Sequence, residues 1–178
     1  MPLGHVTHAA QKGVHVLRYF GTVNYTLAPG LQQFLQHLIG DDHVSGLVFD
    51  LTAADSLDST NLGLMARANE QARETGAANS VIISSNEDID VVLRSMGFDQ
   101  TFDLLPADTD LLAQSGTPVA TEAADVAADV TESPSAAALQ RTMLDAHRAL
   151  VRLSEAGRLE FEPVVACLER DLRPLADR

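Results

Sequence analysis

The chain has 178 residues, 25 of them acidic against 12 basic, and a formal charge of -13. That balance excludes nucleic acid and anionic membrane as natural partners, since phosphate contacts need clustered Lys and Arg and Lys12 is the only lysine. The single cysteine, Cys167, allows neither an internal disulfide nor a cysteine zinc cluster. No apolar run is long enough to span a membrane, and His5, His8 and Lys12 interrupt any signal-peptide pattern, so a soluble cytoplasmic protein is expected.

In chain order, residues 3–9 and 14–20 read as strands, and Leu31, Phe34, Leu35, Leu38 and Ile39 mark a helix after Thr26. The run Gly46-Leu47-Val48-Phe49-Asp50-Leu51 is apolar and bounded by Gly and Asp, as an internal strand is. An exposed turn, Asp55 to Thr60, joins it to a second helix with Leu62, Met65, Ala66, Asn69 and Ala72 at helical spacing and Gly76 at its end. A strand at 80–84, a helix after Glu87 and a short strand at 101–104 complete the series. The fold class expected is an α/β sandwich, a mixed sheet with helices mainly on one face, over residues 1–106.

Residues 107–134 hold Asp108, Asp110, Glu122, Asp125, Asp129 and Glu132 without a basic residue, which reads as a solvated acidic linker, with a helical turn near Leu111 and Leu112 as the alternative. From 135 to 178 two apolar stripes predict a helical hairpin. The first stripe is Leu139, Met143, Ala146, Leu150 and Leu153, stopped at Ala156-Gly157. The second is Phe161, Val164, Val165, Leu168, Leu172 and Leu175, with Pro163 in the first turn and Cys167 buried on the apolar side. Such a hairpin cannot enclose a core alone, so it is expected to pack on the first domain, on a second copy or on another protein, and to be dispensable for folding of the first domain.

The chemistry-bearing residues centre on the turn. Ser59 and Thr60 lie at a helix N-terminus, where free N–H groups and the helix dipole favour either a capping hydroxyl or an attached phosphate. The six histidines show no metal-ligand spacing, and none lies beside a nucleophile motif. His147 is read as a surface residue, Asp58 as the residue that orients the turn, and Asp55 as a bystander. With no phosphate-binding glycine loop and no general base beside Ser59, no enzyme, metal or cofactor is expected.

Three segments together resemble the STAS family of anti-sigma factor antagonists. They are residues 14–24 with the helix that follows, the pair Asp50-Leu51 with Leu57-Asp58-Ser59-Thr60-Asn61-Leu62-Gly63, and the run from Val91 to Phe102. Asn24 stands where the family usually carries Asp, and Asn61 replaces a Gly. The resemblance implies that Ser59, with Thr60 as second choice, accepts a phosphate, and that Asn24, Asp58, Ser59, Thr60, Asn61 and Leu62 form the partner-binding surface. It implies an anti-sigma factor with a serine-kinase fold as partner and a serine phosphatase to reset the switch. A second reading within the same fold is a STAS subunit of a transporter or signalling complex that is never phosphorylated.

Overall fold

The computed structural model describes residues 4–40, 43–108, 124–126 and 135–173. Strands β1 (His5–Gln11) and β2 (Val14–Val23) form a hairpin closed by Lys12 and Gly13, both at positive φ (50° and 82°), the conformation a two-residue hairpin turn requires. Helix α1 (Ala28–Gly40), β3 (Gly46–Leu57), α2 (Ser59–Glu74), β4 (Val81–Ser84), α3 (Glu87–Ser95) and β5 (Asp103–Pro106) follow. The β2–β3, β3–β4 and β4–β5 pairs are parallel, and with a last strand β6 (Ala124–Asp125) the sheet order is β5-β4-β3-β2-β1-β6. This is the expected mixed sheet.

Leu17, Tyr19, Leu47, Phe49, Leu51 and Ile82 of the sheet share one buried cluster with Leu31, Leu35 and Leu38 of α1, Leu62 and Met65 of α2, and Leu93 of α3. Burial of such side chains, about 1.5–3 kcal/mol each, is the main term holding the layers together. A buried carboxylate fastens β2 to β3. Asp50 is 1% exposed, accepts from the backbone N–H and hydroxyl of Thr52 at 2.9 and 2.6 Å, and faces the Arg18 guanidinium at 3.2 Å. α2 ends as its glycine suggested: Gly76, at φ 93°, donates to the Arg73 carbonyl, and Ala77 donates to that of Ala72.

Three expectations need correction. β3 runs to Leu57, six residues past the apolar run, because β2 continues beside it as far as the Val23 to Leu57 pairing. In the acidic segment, Ala124–Asp125 form β6 on the edge of β1 and Val126 is buried, so this part is no solvated linker. Residues 109–123 and 127–134, including the turn expected at Leu111 and Leu112, lie outside the described residues.

The third correction concerns the C-terminal helices α4 (Ala136–Leu153) and α5 (Glu155–Leu172). Ser154 alone separates them. Its extended backbone (φ -160°, ψ 167°) stops α4, and its hydroxyl oxygen accepts from Gly157 N at 2.9 Å, so Gly157 lies inside α5 instead of ending α4. Pro163 is consequently the ninth residue of α5, not part of its first turn. Cys167 is exposed, and beyond Phe161 no described residue of α5 is buried, although Glu169 still pairs with Arg148 of α4 at 2.7 Å.

A titratable pair occupies the edge of the helix-covered face. His8 stacks on His15, with Nε2 and Nδ1 3.0 Å apart, and meets the Phe34 ring edge-on. Burial, then the neighbouring His15, pushes His8 down to about 4. The folded chain therefore resists a proton that the unfolded chain accepts below its ordinary value of 6.5. The stabilising effect of neutral His8 is complete above that pH and is lost between it and about 4. Allowing for partial exposure, it amounts to about 1–2 kcal/mol. His8→Gln should flatten the fall in Tm between pH 7 and 4.5; a profile parallel to the parent's would remove His8 from the account.

Candidate functional site

The continued β2–β3 pairing positions the turn at the start of α2. Asp58 N donates to the Val23 carbonyl at 3.3 Å, which sets Asn24 beside Asp58 at the end of the sheet. Asn24 caps a short 3-10 turn, its side-chain oxygen accepting from the N–H and hydroxyl of Thr26 at 3.0 and 2.6 Å. Asp58 is the N-cap of α2: Oδ1 accepts from the backbone N–H of Asn61 at 2.9 Å and from its side-chain amide at 2.8 Å. Asp58 does orient the turn, and Ser59 is left as the first residue of the helix.

The six residues expected to form one surface divide into two groups. Asn24, Asp58 and Ser59 are partly accessible, whereas Thr60, Asn61 and Leu62 are 2%, 0% and 3% exposed. The second group is buried in this conformation, and of its side chains the Asn61 amide bonds to Asp58. Thr60 is thereby a poor second acceptor. The cause is a helix buried on two sides: α2 is covered from Thr60 to Ala66 without a break.

The covering element is α4. A Cβ on Gly63 would fall 2.5 Å from the carbonyl carbon of Ala146 and 2.9 Å from its Cα, so the two helices cross backbone against backbone. Around the crossing, Arg67 meets Asp145 at 3.1 Å, Arg152 forms a two-pronged pair with Glu70 at 3.0 and 2.7 Å, and Thr142 donates to Gln32 Oε1 at 2.5 Å. Ser154 donates to the Met96 carbonyl at 2.6 Å. Ala146, Ala149 and Leu150 of α4 and Phe161 of α5 belong to the same apolar cluster as the sheet.

At one end of this contact stands a residue that the sequence did not single out for this role. His147 Nε2 lies 3.0 Å from Ser59 Oγ, and Nδ1 lies 2.6 Å from the Met143 carbonyl. A carbonyl only accepts, so Nδ1 carries a proton, and in the neutral ring Nε2 accepts from the Ser59 hydroxyl. His147 is 4% exposed and packs against the Phe161 ring, 5.5 Å between centroids. It is no surface histidine. A serine hydroxyl held by an oriented imidazole is the arrangement of an activated nucleophile, but a substrate also needs a cleft.

Two cavities lie elsewhere. One of about 390 Å³ follows α2 and α4 past Ala66, Glu70, Arg73 and Arg152, and a groove of about 230 Å³ is lined by Leu57, Leu62, Asp88, Ile89 and Val92; neither has Ser59 or His147 in its wall. Among the described residues no group of His, Cys, Asp and Glu is placed to hold a metal ion, and no helix is long and apolar enough to cross a membrane.

Comparison with known proteins adds the lineage. The family model for the STAS domain matches residues 6–110. Among solved structures, an anti-sigma factor antagonist from Mycobacterium paratuberculosis is 24% identical, with a TM-score of 0.54 over 64% of this chain and 94% of its own. The anti-sigma factor antagonist SpoIIAA in its unphosphorylated form is 14% identical (TM-score 0.51, 62% and 94% covered). The Bacillus cell fate determinant SpoIIAA in the phosphorylated form is 12% identical (TM-score 0.52, 61% and 95% covered). At these identities the likeness concerns the fold. The comparison with curated proteins returned no match.

Proposed function

Because this chain belongs to the STAS-domain family, we propose that it is a cytoplasmic, non-enzymatic anti-sigma factor antagonist switched by phosphorylation of Ser59. Unphosphorylated, it binds an anti-sigma factor of the serine-kinase type, or a related regulator; phosphorylated, it releases that partner until a serine phosphatase resets it. The reading rests on one observation above the rest: Ser59 is the first residue of α2, directly after the capping Asp58, and of Ser59 and Thr60 it is the residue that is not buried. A phosphate there adds about 1.5–2 negative charges beside the Asp58 carboxylate, which a close protein contact cannot accommodate. Mg-ATP would come with the kinase, so the chain needs no cofactor of its own.

Asn24 supplies a second contact in this proposal, neutral where the family usually carries an acid. The test is affinity for the kinase-type partner by calorimetry. Ser59→Ala should bind at least as well as the parent, and Ser59→Asp should bind about tenfold or more weaker. Equal affinities would favour the other reading, a STAS subunit whose Ser59 is a structural hydroxyl, for which the His147 hydrogen bond is the supporting observation.

A further inference from the structure

We infer that the C-terminal hairpin is an intramolecular cover for the Ser59 turn, and that a docked hairpin and a phosphate on Ser59 exclude one another. The assignment of Ser59 as acceptor rests on the function proposed above; the cover itself rests on the contacts alone. α2 presents Ser59, Gly63, Arg67 and Glu70 along one stripe, spaced three or four residues apart. Each is met by α4: Ser59 by His147, Gly63 by Ala146, Arg67 by Asp145 and Glu70 by Arg152. A protein that binds the turn through this face of α2 must first displace α4.

The Ser59 end of the contact cannot tolerate esterification of the hydroxyl. Phosphorylation removes the hydrogen donated to His147 Nε2 and sets a bulky group against an imidazole that is buried between Ser59, its own helix and Phe161 and has little room to withdraw. Asp58, which closes the turn on the other side, repels the added charge. The interface's buried apolar members are Ala146, Ala149 and Leu150 of α4 with Phe161 of α5, and its Arg152 and Glu70 side chains are half exposed, so the contact is spread over several residues and no single one dominates.

The test uses the full chain with phosphoserine installed at position 59 by codon suppression, so that no kinase is needed. Backbone hydrogen exchange is compared with that of the parent and of Ser59→Ala. The amides of α4 should exchange roughly tenfold or more faster in the phosphoserine protein, with β2, β3 and β4 unchanged, and Ser59→Ala should stay close to the parent. Unchanged or slower exchange in α4 overturns the proposal, since the hairpin would then accept or clasp the phosphate. Loss of protection across the sheet as well overturns it too, because the hairpin would be part of the domain's fold and not a cover. Release of α4 by phosphoserine, combined with absence of phosphate on Ser59 in protein isolated from cells, would instead refute the proposed function and leave the cover standing.

Discussion

Gly63→Ala is expected to destabilise the full-length chain by about 2 kcal/mol, although it replaces a helical glycine with the best helix former. In an isolated helix the same change would stabilise by roughly 0.5–1 kcal/mol. The sign reverses because the new methyl group would meet the Ala146 backbone at 2.5 Å, and a backbone has no rotamer through which to withdraw. Urea unfolding therefore reads the helix crossing directly. A stability gain in the full chain would mean that α4 does not rest on Gly63 in solution. The same substitution in a chain truncated after residue 126 should show the gain, provided that the truncated chain folds cooperatively.

Asn69→Leu is expected to cost more, about 2–4 kcal/mol, with a fall in Tm of roughly 10 °C. Asn69 is 3% exposed and uses both ends of its amide: Oδ1 accepts from Ser80 N at 3.0 Å, and Nδ2 donates to the Thr101 carbonyl at 3.2 Å. These bonds join α2 to the start of β4 and to the approach to β5. Leucine keeps the branched heavy-atom skeleton, with bulkier methyl groups, but leaves the N–H of a fully buried Ser80 and the Thr101 carbonyl without partners. Asn69→Asp keeps the acceptor for Ser80 and should recover part of the loss at neutral pH. A Tm within 2 °C of the parent for Asn69→Leu would show that water satisfies these groups.

The contrast between these two residues explains how far the sequence could be read. Position 69 fits the apolar stripe of α2 by spacing alone, and only the fold shows that the stripe needs an amide there. Gly76 was legible because a helix end demands a particular backbone conformation, and Leu47, Phe49 and Leu51 because a buried strand demands apolar side chains. The turn was legible in part: a helix does begin there, but its cap is the Asp58 carboxylate and not the Ser59 or Thr60 hydroxyl.

His147 was not. It lies 88 residues from Ser59, and nothing local distinguishes a histidine that faces a hydroxyl across a helix crossing from one in solvent. A signal did exist in Leu62-Gly63-Leu64-Met65-Ala66, which is apolar all the way around the helix and so requires cover on both sides. The stripe of α4 carried the complementary half of that information. An amphipathic pattern states that a face will be buried, but not against what. The same limit misplaced Cys167, since the apolar stripe of α5 is buried only as far as Phe161.

The order in which the two halves of this contact are synthesised has a temporal consequence. α2 is complete long before α4 exists, and translation at about 5–20 residues per second takes roughly 4–18 s to pass from Ser59 to His147, 88 residues later. During that interval the nascent chain holds the α2 face open and the Ser59 hydroxyl without its imidazole. Every newly made molecule thus passes once through the uncovered state, whatever the later equilibrium, and a kinase or partner acting on the ribosome-bound chain would meet a site that the finished protein keeps closed.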